Sequence, residues 1–311
     1  MADSLTIVNS TYAGELALPY INAAILSGDT LAKGYVTLKE GVKFKAVLKK
    51  LSNDASLVQA ASCDFSQAGD LQLEESILEV KDLKVNLELC KKEFARYWEA
   101  AQTGRGFIND VVPANFSDFL IGYAAAKVAE NIEFTIWQGN TTVGSTYPGF
   151  DGFEKIVNVS STYYRSAWSS GTGVMTVSTI IDNLNQVINN LPVALIGSPS
   201  TKLYMNRQAA QFYRQAVAAE GYLQQFQASS DFNLQFNGYD IYVCPGMSNG
   251  TVIAAQDTNM FVGVDANSDF AEVKVVDMSL TDASDNVRMA MRFRVGTQVG
   301  VLGDVVYCYN D

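Results

Sequence analysis

Residues 115–140, NFSDFLIGYAAAKVAENIEFTIWQGN, read as one long helix. Asn115 is placed to cap the first turn with Asp118 as its reciprocal partner, and Gly139 offers a left-handed stop after Gln138. At 1.5 Å per residue, positions 116–138 make a rod of roughly 34 Å. Lys127, Glu130, Asn131 and Glu133 interrupt the apolar run, so the rod is not a membrane span. One stripe runs through Phe116, Leu120, Ala124, Val128 and Ile132. Phe119, Tyr123, Ala126, Phe134 and Trp137 spread apolar surface beyond it, so the helix is expected to be covered on several sides. Glu130 and Glu133 sit near the negative end of the helix dipole, which calls for a cation from another element or another subunit.

Around this rod lies a folded chain of 311 residues, 48% hydrophobic and 18% charged, enough for a substantial core and two structural units. The start MADSLTIVNSTYAGELALPY has neither the basic head nor the apolar block of a signal peptide. Four cysteines, Cys63, Cys90, Cys244 and Cys308, are too scattered for a disulfide framework or a C-x-x-C site and are expected to be small buried thiols.

The chain has no histidine. It therefore lacks the usual general base near neutral pH, the usual triad member and the commonest nitrogen ligand for metals. Glu74 and Glu75 are adjacent and Glu130 and Glu133 share one helix face, which suits solvated or ion-paired carboxylates better than a glycosidase pair. DANSDF at 265–270 begins like a calcium loop, then fails at Phe270 and Val276, where glycine and the bidentate glutamate belong. No phosphate-binding glycine motif is present. No catalytic residue, cofactor or metal is expected. A net charge of -11 argues against a protein that grips nucleic acid, although basic residues gather early, most densely in KFKAVLKK.

Along the chain, an N-terminal arm with a short helix around ELALPYINAAIL precedes two alternating segments. VKFKAVLKKL sets Val42, Phe44, Ala46 and Leu48 against Lys43, Lys45, Val47 and Lys49. LKVNLEL sets Leu83, Val85, Leu87 and Leu89 against Lys84, Asn86 and Glu88. Between them, residues 52–75 form a polar excursion too long for a tight hairpin. CKKEFARYWEAA reads as a helix before the rod. Residues 178–192 give an amphipathic helix with Ile180, Ile181, Leu184, Val187, Ile188 and Leu191 inward, and Asn206 caps a third helix. From Phe236 onward the chain is β-rich. Helices and strands mix without regular alternation, so the class is α+β.

This order of elements, with the phrases IEFTIWQGN, FDGFEKIV, KLYMNRQAAQFYRQA, FNGYDIYVCPGM and VRMAMRFRVGTQVGVLGDVVYCY, resembles the major capsid proteins of tailed phages of the HK97 type over nearly the whole chain. The resemblance implies an N-terminal arm at 1–33, an extended E-loop hairpin at 34–92, a peripheral domain at 93–175 carrying the spine helix 116–138, an axial domain at 176–270, and strands at 271–311 that return to the peripheral domain. It implies self-assembly into pentamers and hexamers of an icosahedral shell in the host cytoplasm. Portal, scaffolding or decoration proteins would be partners, double-stranded DNA would be enclosed without sequence-specific binding, and no membrane would be involved. The apolar strand faces and spine carboxylates then become interface candidates: Phe44, Leu48, Leu83, Val85, Leu87, Glu130 and Glu133. No residue matches the Lys–Asn crosslink of some relatives, and the start at Met1 implies no long scaffolding segment in this numbering. The alternatives are an encapsulin-like nanocompartment shell and a carboxylate-dependent enzyme.

Overall fold

Fourteen strands and five α-helices are described in the computed structural model, which covers residues 10–13, 28–53, 63, 71–90, 116–142, 144–159, 164–168, 175–193, 195–219, 234–265, 272–278, 284 and 286–309. The readings of a helix at ELALPYINAAIL, a helix at CKKEFARYWEAA and the Asn115 cap lie outside these residues.

The rod forms where its periodicity places it, as α2 (Phe116–Gln138). Its buried side runs through Ile121, Ala124, Ala125, Val128, Ile132, Ile136 and Trp137. Tyr123 and Ala126 are exposed, so over residues 121–138, where burial is described, the helix is covered on one broad side and not on several. Together with α3 (Phe153–Val159), it packs into one core with the apolar faces of two sheets.

The first sheet is built on β13 (Asn286–Val299). One edge of β13 pairs antiparallel with β12 (Glu272–Asp277) and then β11 (Met260–Asp265), while β5 (Lys81–Cys90) runs along the other edge from Cys90 opposite Asn286 to Lys81 opposite Val295. β1 (Ser10–Ala13) extends the sheet beyond β12, and β2 (Thr37–Glu40) lies parallel to β11. The period of two in VRMAMRFRV explains the two faces: Val287, Met289, Met291, Phe293 and Val295 enter the core, and Arg288, Arg292 and Arg294 stand opposite. Arg288 meets Glu88 and Arg294 meets Asp82, each directly across in register. Asp265 is buried against Arg294 at 3.2 Å, the role this aspartate takes in place of a calcium ligand.

The second sheet runs β6 (Tyr164–Ala167), β14 (Val305–Tyr309), β10 (Val252–Gln256), β7 (Thr201–Met205), β9 (Tyr239–Val243) and β8 (Gln235–Phe236). Its central strands are buried on both faces. Tyr204, Ile253, Ala255, Val305 and Tyr307 join the core beneath α2, while Leu203, Met205, Val252, Ala254, Val306 and Cys308 lie under α4 (Ile180–Asn189) and α5 (Arg207–Ala219). Such strands read as near-continuous apolar runs because neither face meets water. The inward set on α4 is as expected, and Asn206 caps α5 by accepting the Gln208 amide at 2.9 Å.

Two placements differ from the sequence reading. β11 joins the first sheet beside β12 and β13, and the closing strand β14 joins the second sheet. The two cores share one sheet, so the chain's two units are fused across it.

Candidate subunit interface

Residues 45–53 and 71–79 form a two-stranded antiparallel pair, the two limbs of a hairpin, outside both sheets. β3 (Lys45–Asn53) pairs antiparallel with β4 (Leu71–Glu79) from Lys45 opposite Glu79 to Asn53 opposite Leu71. The sequence reading had made LKVNLEL the return limb and placed 71–75 in a polar excursion. That is corrected: β4 is the return limb, and the Leu83–Leu89 strand is β5 of the first sheet. The overlooked signal is the alternation of Leu71, Leu73 and Ile77, diluted by Glu74, Glu75 and Ser76.

One hairpin face is fastened to its own subunit. Leu48 and Leu78 bury with Val42 and Val80, the Ser76 hydroxyl donates to the Val299 carbonyl at 3.0 Å, and Lys50 pairs with Asp304 at 2.6 Å. The opposite face is open. Val47 (47% exposed) and Ile77 (53%) stand directly opposite each other, Leu73 (53%) continues the stripe, and Phe44 (65%) lies at the hairpin base beneath the Lys45 ammonium. Lys45–Glu79 and Lys49–Glu75 flank the Val47–Ile77 pair as exposed cross-strand ion pairs. In water these are screened and contribute little; the lysine hydrogen bonds, Lys81 first and then Lys45, hold the Glu79 carboxyl below its ordinary value. An apolar stripe framed by paired charges is the composition of a protein interface, with a dry centre and a polar rim.

The expected interface residues divide. Phe44 and Leu87 are exposed. Leu48 is buried in its own subunit, and Leu83 and Val85 pack partly against the main core because β5 is zipped onto β13. Glu130 is exposed and finds its cation on its own helix, Lys127 at 3.0 Å. Glu133 is buried, and no cation pairs with it among the described residues. Its carboxylate accepts from the Thr30 amide at 3.1 Å and from the Thr30 hydroxyl, which in turn accepts from Trp137 Nε1 at 2.9 Å. Hydrogen bonds from α1 (Asp29–Ala32) thus replace the cation expected for Glu133, and its burial removes it from a subunit contact. Val47, Leu73 and Ile77 are the interface candidates that the sequence reading did not single out.

The cysteines also divide: Cys244 and Cys308 are buried as expected, Cys90 is half-buried and Cys63 is exposed. Among the described residues, no three His, Cys, Asp or Glu side chains gather as a metal site, and no helix is long and apolar enough to cross a membrane.

No protein-family model matches the chain, and no curated protein matches it. Solved structures do match, over almost their full length. A chain of the satellite phage P4 procapsid, a structure that includes the size determination protein, aligns at TM-score 0.56 and 9% identity, covering 94% of this chain and 98% of that one. The capsid of the native GTA particle aligns at TM-score 0.58 and 12% identity over 92% and 91%. A virus-like particle from Pyrococcus furiosus aligns at TM-score 0.51 and 12% identity over 95% and 98%. The long helix, the two sheets and the projecting hairpin therefore make up the HK97-like α+β fold shared by tailed-phage capsid proteins.

Proposed function

We propose that this chain is the structural major capsid protein of a tailed phage, assembling into pentamers and hexamers of an icosahedral shell around double-stranded DNA, with no enzymatic activity. The observation that carries this reading is the two-way coverage by phage capsid chains, 94% of this protein and 98% of the P4 chain. A shared nucleotide-binding or barrel core would match only in part, whereas here nearly the whole of each chain is covered. The open stripe Val47, Leu73 and Ile77, with the exposed Phe44 at the hairpin base, supports it, since it is apolar surface that a neighbouring copy would cover. Phe44 and Leu87 remain proposed contacts from the sequence reading.

The acidic balance suits a shell that encloses DNA without holding it tightly. Portal, scaffolding or decoration proteins are its proposed partners, the virion its destination and the host cytoplasm its place of assembly. Likeness to the virus-like particle from Pyrococcus furiosus favours a second reading, a compartment shell without a genome.

Purified protein examined by negative-stain microscopy and sedimentation should give closed shells or capsomers. A monodisperse monomer at high concentration, with or without crowding agent, rejects both readings. Nuclease-protected DNA in particles recovered from the native host selects the first, and protein cargo without DNA selects the second.

A further inference from the structure

Glu133 lies near the C-terminal end of α2, and its partner Thr30 is 103 positions away in the sequence, in α1. The contact joins the chain's N-terminal part to the rod. Trp137 Nε1 donates to the Thr30 hydroxyl, the hydroxyl donates to Glu133, and the Thr30 amide donates to the other carboxylate oxygen. Cys244, fully buried, sits behind this junction within reach of Thr30 and Glu133.

Among the described residues, the surrounding charges leave Glu133 without a counter-ion. Asp29 of α1 holds Arg207 of α5 at 2.6 Å, and Lys33 at the end of α1 approaches the same Asp29 at 3.9 Å. Asp29 itself opposes a second negative charge. On α2, Lys127 is taken by Glu130. From the second sheet come the rings of Tyr204 and Tyr242, and Lys202 beside Tyr242 is bound to Asp240. The turn after β9 brings Cys244 and Gly246. Gly246 packs so closely that a Cβ there would stand 2.2 Å from the Glu133 carbonyl oxygen, so the helix backbone has no room to shift toward that turn. A buried carboxylate at the negative end of a helix, beside an aspartate and without a cation, is comfortable with a proton and strained without one.

We propose that the Glu133–Thr30 junction is a proton-operated latch on the N-terminal part of the chain, closed while the carboxyl carries a proton and loosened when it ionises. In the closed state the carboxyl keeps one oxygen for the Thr30 amide; protonation of the other oxygen reverses the hydroxyl bond, so that the carboxyl O–H donates to the Thr30 hydroxyl and the hydroxyl turns its own hydrogen toward Cys244. On ionisation the proton leaves to solvent, and opening lets water reach the carboxylate. Burial supports this order by pushing the Glu133 carboxyl above its ordinary value despite the hydrogen bonds from Thr30. The closed state therefore binds the proton more tightly than the open one. Between the ordinary glutamate value of about 4.3 and the raised closed-state value, each pH unit upward favours opening by up to about tenfold; above the raised value the dependence ends.

Cys244 and Cys308 provide the test on the full chain. Both are buried, but Cys308 lies in the core under α4 and α5 and reports general unfolding. Labelling with 4,4′-dithiodipyridine, read by peptide-resolved mass spectrometry, gives each thiol's rate relative to the same thiol in the urea-unfolded chain. Protection of Cys244 relative to Cys308 should fall several-fold as pH rises through the window and then level off. Glu133→Gln should abolish that slope, and Thr30→Val should leave Cys244 poorly protected at every pH. Parallel protection of the two thiols across the whole range in the wild type overturns the latch, as does an unchanged slope in Glu133→Gln. Should the glutamine variant not fold, the two-thiol comparison in the wild type decides alone. None of these readings depends on shell assembly, so failure of the capsid reading and failure of the latch are separate results.

Discussion

Replacing Val47, Leu73 and Ile77 together by threonine tests whether the open hairpin face is an assembly surface. Threonine keeps strand propensity, and Val47 and Ile77 keep their β-branching, so the β3–β4 pairing should survive. Each side chain is already about half covered in the single subunit. A neighbour can then supply only the remaining half of the 1.5–3 kcal/mol that full burial of such a side chain contributes, about 1 kcal/mol each. Losing three of these weakens every hairpin contact by about 3 kcal/mol, which raises the protein concentration needed for assembly by about a hundredfold. The monomer should be nearly unaffected, with its melting temperature lowered by no more than about 4 °C. Light scattering against protein concentration gives the assembly threshold, and circular dichroism melting of the same sample gives the monomer's stability. Assembly at the wild-type threshold by a folded triple variant would show that the stripe is ordinary exposed surface. An unfolded variant would show that the hairpin face belongs to the intrasubunit core.

Joining Asn53 to Leu71, which stand opposite each other, by a two-residue turn in place of residues 54–70 should leave cooperative folding intact and stop shell closure; normal shells in the micrographs would make the segment dispensable. Gly296→Ala places a methyl 2.1 Å from the Glu79 carbonyl oxygen, where backbone meets backbone, and should cost at least about 2 kcal/mol in urea unfolding. An unchanged midpoint would mean that the hairpin base does not press on β13. Glu154→Ala strips the acceptor from the Ser248 amide and hydroxyl and from the Thr251 hydroxyl, at about 1–3 kcal/mol. Because burial raises the Glu154 carboxyl in the folded state, the wild type gains stability as pH falls from that raised value toward the ordinary one. The alanine deficit should therefore grow toward acid pH, and a pH-independent deficit would contradict the assignment.

Elements whose signal is local were legible in the residues. The rod announces itself by spacing, α4 by its six inward positions, and β13 by strict alternation in VRMAMRFRV. The order of these elements was enough for the family resemblance, and the fold agrees with it. The candidate site was less legible. Phe44 was found, while Val47 was assigned to the polar side because lysines flank it, and Leu73 and Ile77 were hidden among acidic neighbours. Their shared face exists only because Val47 is registered opposite Ile77, across a loop whose length the sequence shows but whose pairing it does not.

The sequence by itself determined that the chain is an acidic α+β protein without histidine chemistry, spanned by one long helix and closed by alternating strands, because composition and periodicity are properties of neighbouring residues. Tertiary structure alone decided the partners. The segment 83–89 alternates as well as any hairpin limb, yet ten register pairs commit its strand to β13 and leave β4 to complete the hairpin. Glu133 has the spacing of a solvated helix carboxylate, yet Thr30 and Gly246 bury it. Strand pairing and burial depend on which distant segment arrives against a side chain, and a single sequence encodes that arrival only through the packing of the whole chain.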